Sequence, residues 1–528
     1  MDYCIIDKEE VKIKGPNNII SLVLHTVEGL NKQVLIFNRS KSSAEKTAED
    51  ISKCITKVEN KEYLEDISKK IEKTLVNPTK QCLRLAKLVK KGVAFHHSGL
   101  LSKQREIIED SFKKGYIKVI SSTPTLAAGL NLPAYKVIIK DYKRYSKRGM
   151  TNIPILEYHQ MSGRAGRPGK EKEGRAVLCV NNDKEEEILV TNYIYGKPEE
   201  IVSKLAVEPI LKMHLLSIIS IGVVSTKKEI EKFFLNTFYA HQYKDKETLK
   251  YNLFRILEIL KSYDFIKYDD GIYFATPIGK KINELYLNPD TGNYFLENIE
   301  TLKNKFDTKY SINKNLFSLI FFLVDTLEMK PLFRVSKKEY DYIYKKAEEN
   351  INDLVVPFDP YETDIENFLN GVKTTLVFLD WINEISEESI TEKYNITPGE
   401  LNFKLDTLNW LLTSLEEILH MKKALFLKNY LSRLKLRFKY GIKEELLNLV
   451  SLKNIGRSRA RKLYENGIKD EKDIQKASIE YLSSLVGPKV AKKIKGYKVD
   501  EEENFENIDN FEQSEIINEE TKTLLDYF

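Results

Sequence analysis

The chain has 528 residues, 42% hydrophobic and 31% charged, enough apolar material for three or four packed domains at ~150 residues each and too much for a disordered chain. No apolar run reaches the ~18 residues of a membrane span, and the start Met1-Asp2-Tyr3-Cys4 lacks the basic and apolar parts of a signal peptide, so a cytoplasmic protein is expected. The four cysteines (Cys4, Cys54, Cys82, Cys179) form no CxxC pair, which argues against a disulfide scaffold and against a metal site. The net charge of +6 is uneven. Residues 499–528 carry −10, so the 498 before them carry +16, a balance that suits a polyanionic partner.

In chain order, Val34–Phe37, Val93–Phe95, Val119–Ser121, Val137–Ile139 and Ala176–Val180 read as strands buried on both faces. Amphipathic helices such as Ser42–Lys57 and Lys103–Lys114 lie between them, the pattern of a parallel α/β sheet. Over residues 200–290 three helices precede a strand–turn–strand (Phe265–Tyr268, Asp269–Gly271, Ile272–Phe274), which suggests a winged helix. Residues 291–420 are helical with aromatic stripes. A basic helix follows at 421–440, and 446–497 holds two short helix pairs turned at glycine. The acidic segment 498–528 reads as a disordered tail.

The strongest chemical signal is Tyr158-His159-Gln160-Met161-Ser162-Gly163-Arg164-Ala165-Gly166-Arg167-Pro168-Gly169. Two arginines three apart lie on one side of a helical turn. Their fork geometry suits phosphate oxygens and the charge that develops in phosphoryl transfer. This segment resembles motif VI of the Ski2-like branch of superfamily 2 helicases. Three others stand in the order that family requires: Val34–Ser40 resembles motif IV, Gly92–Leu100 the following family segment, and Ser122–Ala134 motif V. The fit extends along nearly the whole chain, to the archaeal DNA-unwinding helicases of this branch, kin to the helicase domain of polymerase theta.

The resemblance implies roles. Arg164 and Arg167 would reach across a cleft to the γ-phosphate of ATP on a neighbouring RecA-like domain, with Gln160 coupling the two and Gly163 beside them. Thr123, Thr125, Gly129 and Asn131 would link the nucleotide cleft to the nucleic-acid backbone. His97 is either a sensor in that network or a packing histidine. Lys140–Pro154, containing Arg144, Tyr145 and Met150, is a solvated basic loop on composition. In the family the same insertion is a β-hairpin that wedges the duplex open, and the resemblance implies that role here.

What is missing bears on the reading too. No GxxxxGK[ST] phosphate loop occurs anywhere in the sequence, nor the family's acidic Mg²⁺-binding box, and only 33 residues precede motif IV. The expectation is a chain that begins at the joint between two motor domains and needs a first RecA-like domain as partner. ATP and Mg²⁺ would be bound only in the completed motor.

Lys453–Tyr464 and Leu485–Ile494 resemble helix–hairpin–helix turns, in which a glycine (Gly456, Gly487) lets the backbone approach a DNA phosphate. Arg457, Arg459 and Lys489 add charge there without base readout. In the family a long ratchet helix stacks a base on a tryptophan. Trp410 takes that position as a base platform or as core, and Trp381 reads as core. The family's arginine two turns earlier is Phe403 here, with Lys404 beside it as the phosphate contact and Phe403 itself able to stack. The end of the tail, Thr521–Phe528, resembles a sliding-clamp-binding peptide, with Leu524, Tyr527 and Phe528 as the apolar plug.

The fold class expected is multidomain α/β plus all-α. It comprises a second RecA-like domain (1–197), a winged helix (198–290), a helical ratchet domain (291–420), a basic connecting helix (421–445), a helix–hairpin–helix domain (446–497) and the tail (498–528). The function expected is the C-terminal part of a 3′-to-5′ DNA helicase. The alternatives are a non-catalytic DNA-binding adaptor derived from a helicase, and an RNA helicase fragment.

Overall fold

The computed structural model describes residues 18–75, 77–127, 132–146, 149–166, 173–180, 183–205, 207–243, 245–306, 315–361 and 364–497, and the backbone of 3–6 and 9–12. The chain divides into two compact units. The first is Met1–Glu199 with Thr397–Gly399 and Asn448–Phe528, and the second is Glu200–Ile396 with Glu400–Leu447.

In the first unit a short hairpin, β1 (Tyr3–Ile6) and β2 (Glu9–Lys12), precedes helix α1 (Asn18–Leu24). The centre is a parallel sheet of β3 (Val34–Phe37), β4 (Val93–His96), β5 (Val119–Ser122), β6 (Lys136–Ile139) and β9 (Arg175–Leu178), ordered β4-β5-β3-β6-β9. A second hairpin, β7 (Lys143–Ser146) and β8 (Gly149–Asn152), sits between β6 and β9 in sequence. Helices α2 (Lys41–Cys54), α3 (Lys61–Glu72), α4 (Lys80–Val89), α5 (Ser102–Lys113), α6 (Ile155–Ser162) and α7 (Asp183–Leu189) complete this part. The strands are continuous apolar runs because both faces are covered. Val34, Leu35, Ile36 and Phe37 are at most 1% exposed, and each such side chain contributes ~1.5–3 kcal/mol. Side-chain caps start the helices where the sequence leaves the sheet: Ser40 Oγ accepts from Ser43 N at 3.2 Å, and Thr79 Oγ1 from Cys82 N at 3.3 Å.

Register decides where the motifs emerge. Phe37 pairs with Ser122 and Ile139, Ser122 with His96, and Ile139 with Leu178, so these five residues end the sheet in one row. The last strand, expected at Ala176–Val180, runs Arg175–Leu178 because its partner β6 stops at Ile139. Also in this unit, residues 457–494 form four short helices, Arg457–Glu465, Glu471–Lys476, Ile479–Val486 and Pro488–Ile494. The last pair turns at Gly487, whose φ of +89° is one that side-chain-bearing residues rarely adopt.

The second unit opens with α8 (Glu208–Ser220), α9 (Lys227–Leu235), α10 (Phe238–Tyr243), α11 (Lys246–Ser262) and the hairpin β10 (Ile266–Asp269) and β11 (Ile272–Ala275). Asp270 and Gly271 both take positive φ, the geometry that a two-residue hairpin turn demands. This is the winged helix. Further helices follow, among them Leu316–Val324, Ile365–Ile382, Pro398–Met421 and Lys428–Tyr440. One continuous buried cluster runs from Leu211 to Phe438, so the winged-helix and ratchet-type segments share a single core.

Candidate nucleotide and nucleic-acid interface

The row Phe37, His96, Ser122, Ile139 hands the chain to Asn38, His97, Thr123 and Lys140 at the carboxyl ends of the parallel strands. Asn38, in motif IV, is buried and welds β3 to β5 and α2. Its Nδ2 donates to Ser121 Oγ (3.0 Å), its Oδ1 accepts from Thr47 Oγ1 (2.9 Å), and its amide donates to the Ser122 carbonyl (2.8 Å). Lys140 Nζ donates to Thr47 Oγ1 at 2.8 Å.

His97 is fully buried. Its Nδ1 accepts from Gly99 N (3.1 Å), so the proton sits on Nε2 and is donated to Glu45 (3.2 Å). Burial alone would raise the Glu45 pKa. The bonds from His97 and Gln81 and the charge of Arg84 hold it below the ordinary carboxylate value instead. With both ring nitrogens bonded and the ring stacked on Phe95 at 5.4 Å, His97 has the surroundings of a packing histidine.

Motif V leaves β5 at Thr123, whose hydroxyl lies 3.0 Å from that of Thr125 across the 3₁₀ turn Pro124–Leu126. Thr123 is half-buried and Thr125 exposed. Gly129 and Asn131 lie outside the described residues.

Motif VI begins as α6. Its first free amides, Ile155 and Leu156, donate to the Glu199 carboxylate (2.7 and 3.0 Å), and these backbone bonds lower the Glu199 pKa. Gln160 and Gly163 are exposed at the other end. Past it the chain is woven into motif V. The Arg164 carbonyl accepts from Ala134 N (2.9 Å), and Gly166 N donates to the Ala134 carbonyl (2.7 Å). The Arg164 side chain departs from expectation. Instead of pointing out to a cleft, its Nε (3.2 Å) and Nη2 both donate to the carbonyl of Ala127 in motif V. Arg167 lies outside the described residues. Gly174, at the approach to β9, is held so close that a Cβ there would stand 2.2 Å from Gly166 N.

The β7–β8 hairpin occupies the insertion expected to be the wedge, with Met150 half exposed near its turn and Tyr145 on β7 opposite it. The Tyr145 side chain lies outside what the structure describes. Arg144, expected to face DNA phosphates, is ion-paired with Glu157 of α6, Nη1 donating to Oε2 at 2.7 Å and Oε1 at 3.1 Å. An acid on the neighbouring helix claims it. Sequence reasoning passed over Glu157 and Glu199, for which a carboxylate beside a basic hairpin and one near a helix start are the only signals. It also passed over Ala127, which contributes a backbone oxygen and leaves no signal at all.

In the helix–hairpin–helix part Gly456 is buried at the start of its helix. Arg457 is half-buried, Lys489 is exposed, and Arg459 Nη1 donates to the Asn454 carbonyl at 3.2 Å. In the second unit Trp381 is buried, its Nε1 donating to the Phe438 carbonyl (2.7 Å). Trp410 is half-buried against the core, its Nε1 donating to the Leu285 carbonyl (2.9 Å). Lys404 corrects the sequence reading. It is 5% exposed, it donates to the Met329 carbonyl, and burial pushes its pKa down to about 8, so it cannot reach a phosphate. The neighbouring Phe403 is 65% exposed. Leu524, Tyr527 and Phe528 lie outside the described residues. Among those described, no helix is long and apolar enough to cross a membrane, and no three His, Cys, Asp or Glu side chains group as metal ligands.

Family models match this layout in order: the helicase conserved C-terminal domain over residues 17–169, a helix-turn-helix domain over 174–267, domain 4 of archaeal helicases over 317–441, and a SAM-like helix-hairpin-helix tandem over 446–495. The chain is 36% identical over 524 residues to the ATP-dependent DNA helicase Hel308 of Methanococcus vannielii, covering 92% of this chain and 68% of that protein. To Hel308 of Pyrococcus horikoshii it is 38% identical over 482 residues (91% and 65%), and to that of Caldivirga maquilingensis 34% over 513 (92% and 66%). It thus spans about two thirds of the length of these relatives. With the motif order, the sheet and the three following domains in agreement, the chain belongs to the Hel308 family of archaeal Ski2-like DNA helicases, of which it corresponds to the C-terminal portion.

Proposed function

We infer that this chain is the C-terminal part of an ATP-dependent 3′-to-5′ helicase acting on forked or single-stranded DNA, and that it hydrolyses ATP only together with a first RecA-like domain. The observation that carries the reading is the convergence of motif IV, the His97 segment and motif V on the carboxyl ends of adjacent parallel strands, with motif VI woven into motif V. Open α/β sheets bind ligands at that edge. The sequence carries the arginine side of a nucleotide site, at Arg167, and no phosphate loop, while the motif V hydroxyls of Thr123 and Thr125 serve the DNA backbone. ATP with its Mg²⁺ supplies the phosphoryl transfer that drives the motor, and Arg167 meets its γ-phosphate.

On the DNA side, the β7–β8 hairpin with Met150 parts the duplex. The exposed ring of Phe403 gives a base platform on the ratchet helix, and Gly456, Arg457, Gly487 and Lys489 hold phosphates without reading sequence. The tail residues Leu524, Tyr527 and Phe528 plug a sliding clamp. The protein works in the cytoplasm.

The test is ATPase activity with forked DNA, for this chain alone and mixed with a separately made first RecA-like domain from its own source organism. Activity only in the mixture, lost in Arg167→Ala, is the expected result. No turnover in either sample, with fork binding retained, would replace the motor by a DNA-binding adaptor.

A further inference from the structure

The Arg164 guanidinium meets the backbone carbonyl of Ala127, a residue whose own amide closes a turn. Leu126 N donates to the Thr123 carbonyl (3.2 Å) and Ala127 N to the Pro124 carbonyl (2.9 Å). Holding Ala127 therefore holds the whole turn that carries the Thr123 and Thr125 hydroxyls 3.0 Å apart. Ala127 is 2% exposed, so its carbonyl would lose a charged donor in a place water reaches poorly. On the other side of Arg164, its own carbonyl takes the Ala134 amide, and Ala165 bridges to Ala134 in parallel register. The residue is fixed at both its backbone and its side chain.

We propose that Arg164 is a positioning residue that acts through the Ala127 carbonyl, keeping the motif V turn in register with the motif VI helix. The proposal rests on the helicase reading only where it assigns the Thr123 and Thr125 hydroxyls to the DNA backbone.

The two roles need different chemistry. A group that reaches a γ-phosphate must bring a positive charge. A group that grips a carbonyl needs only an N–H in the right place. Glutamine supplies that without charge, because its Nε2 is attached to Cδ as the arginine Nε is, and Nε is one of the two donors to Ala127. Methionine has similar bulk and no donor.

Hydrogen–deuterium exchange of the Thr123–Ala127 segment, read by mass spectrometry on the full chain without nucleotide or DNA, separates them. Arg164→Met should raise exchange there roughly tenfold, the loss of a hydrogen bond from an ionised donor, with α2 unchanged. Arg164→Gln should stay within a few-fold of the unaltered chain. Exchange equal in R164M and the unaltered chain would overturn the proposal. Should R164M fail to fold, Arg164→Leu replaces it. Leucine has no donor, so exchange should rise, and wild-type protection in R164L would overturn the proposal.

Single-stranded DNA affinity of the same chains adds the second readout. A several-fold weakening in R164M that R164Q restores supports the tether and its DNA role together. Raised exchange with unchanged affinity keeps the tether and removes the DNA assignment of Thr123 and Thr125.

Discussion

Lys404 offers the sharpest test of the second unit's core, because its burial sets a definite pH dependence. Its ammonium lies in the bundle against the Met329 carbonyl, and burial lowers the pKa from its ordinary 10.5 to about 8. In the unfolded chain the lysine binds its proton more tightly than in the folded one. Stability therefore rises with pH through the window from 8 to 10.5 and is lost again as pH falls back through it. At ~1.4 kcal/mol per pKa unit, the charged lysine costs the fold about 3 kcal/mol at neutral pH. Replacing it by the isosteric Met removes the titration. Both tryptophans of the chain, Trp381 and Trp410, lie in the second unit, so their fluorescence follows its urea unfolding separately from the first. Unfolding curves at pH 7, 8, 9 and 10 should show the unaltered chain gaining on Lys404→Met by about 3 kcal/mol across the window. Single-stranded DNA affinity should not change. A stability difference that stays flat from pH 7 to 10.5 would refute the buried placement of this ammonium.

Three further outcomes follow from particular contacts. Gly174→Ala puts a Cβ 2.2 Å from Gly166 N, so the approach to β9 must shift, and thermal melting should show a loss of about 1–3 kcal/mol in the first unit. An unchanged melting temperature would contradict that close approach. Arg144→Glu should leave stability within ~1 kcal/mol, since its pair with Glu157 is partly exposed, yet speed chymotrypsin cleavage of the hairpin. The charge-swapped R144E/E157R chain should restore resistance. Glu229 caps α9, where the Ser225 and Thr226 amides hold its carboxyl down at about 2. Its contribution is complete above the ordinary 4.5 and fades as pH falls towards 2, so Glu229→Gln should flatten the acid limb of the tryptophan-monitored unfolding curve there.

The sheet was legible because each strand is a short apolar run bounded by an amphipathic helix, and burial on both faces leaves no other reading for Val34–Phe37 or Val119–Ser121. The wing was legible from the turn Asp269-Asp270-Gly271 between two short apolar and aromatic runs that follow three helices. Side-chain direction was not. Lys404 and Phe403 are neighbours on one helix, and nothing local says which faces the bundle. Charge favoured Lys404 for the surface, yet the bundle takes it and leaves Phe403 outside. Arg144 and Arg164 show a second blind spot. Both were read by what an arginine can do for a phosphate, whereas in the fold one meets a carboxylate and the other a main-chain oxygen. A carbonyl has no letter in the sequence, so its partner cannot be found there.

These contacts anchor the motif VI helix at both ends. Eight residues make a rod of about 12 Å. Glu199 takes its leading amides, Glu157 ties its first turn to the hairpin through Arg144, and just past its end Arg164 and Gly166 bind motif V at Ala127 and Ala134. A rod that short does not bend appreciably, so the helix ties the hairpin and the motif V turn to one rigid element. The buried Tyr158 and Met161 pack its inner face. The hairpin and the motif V turn are thus held by the two ends of one short helix, and weakening either anchor should loosen its own end first.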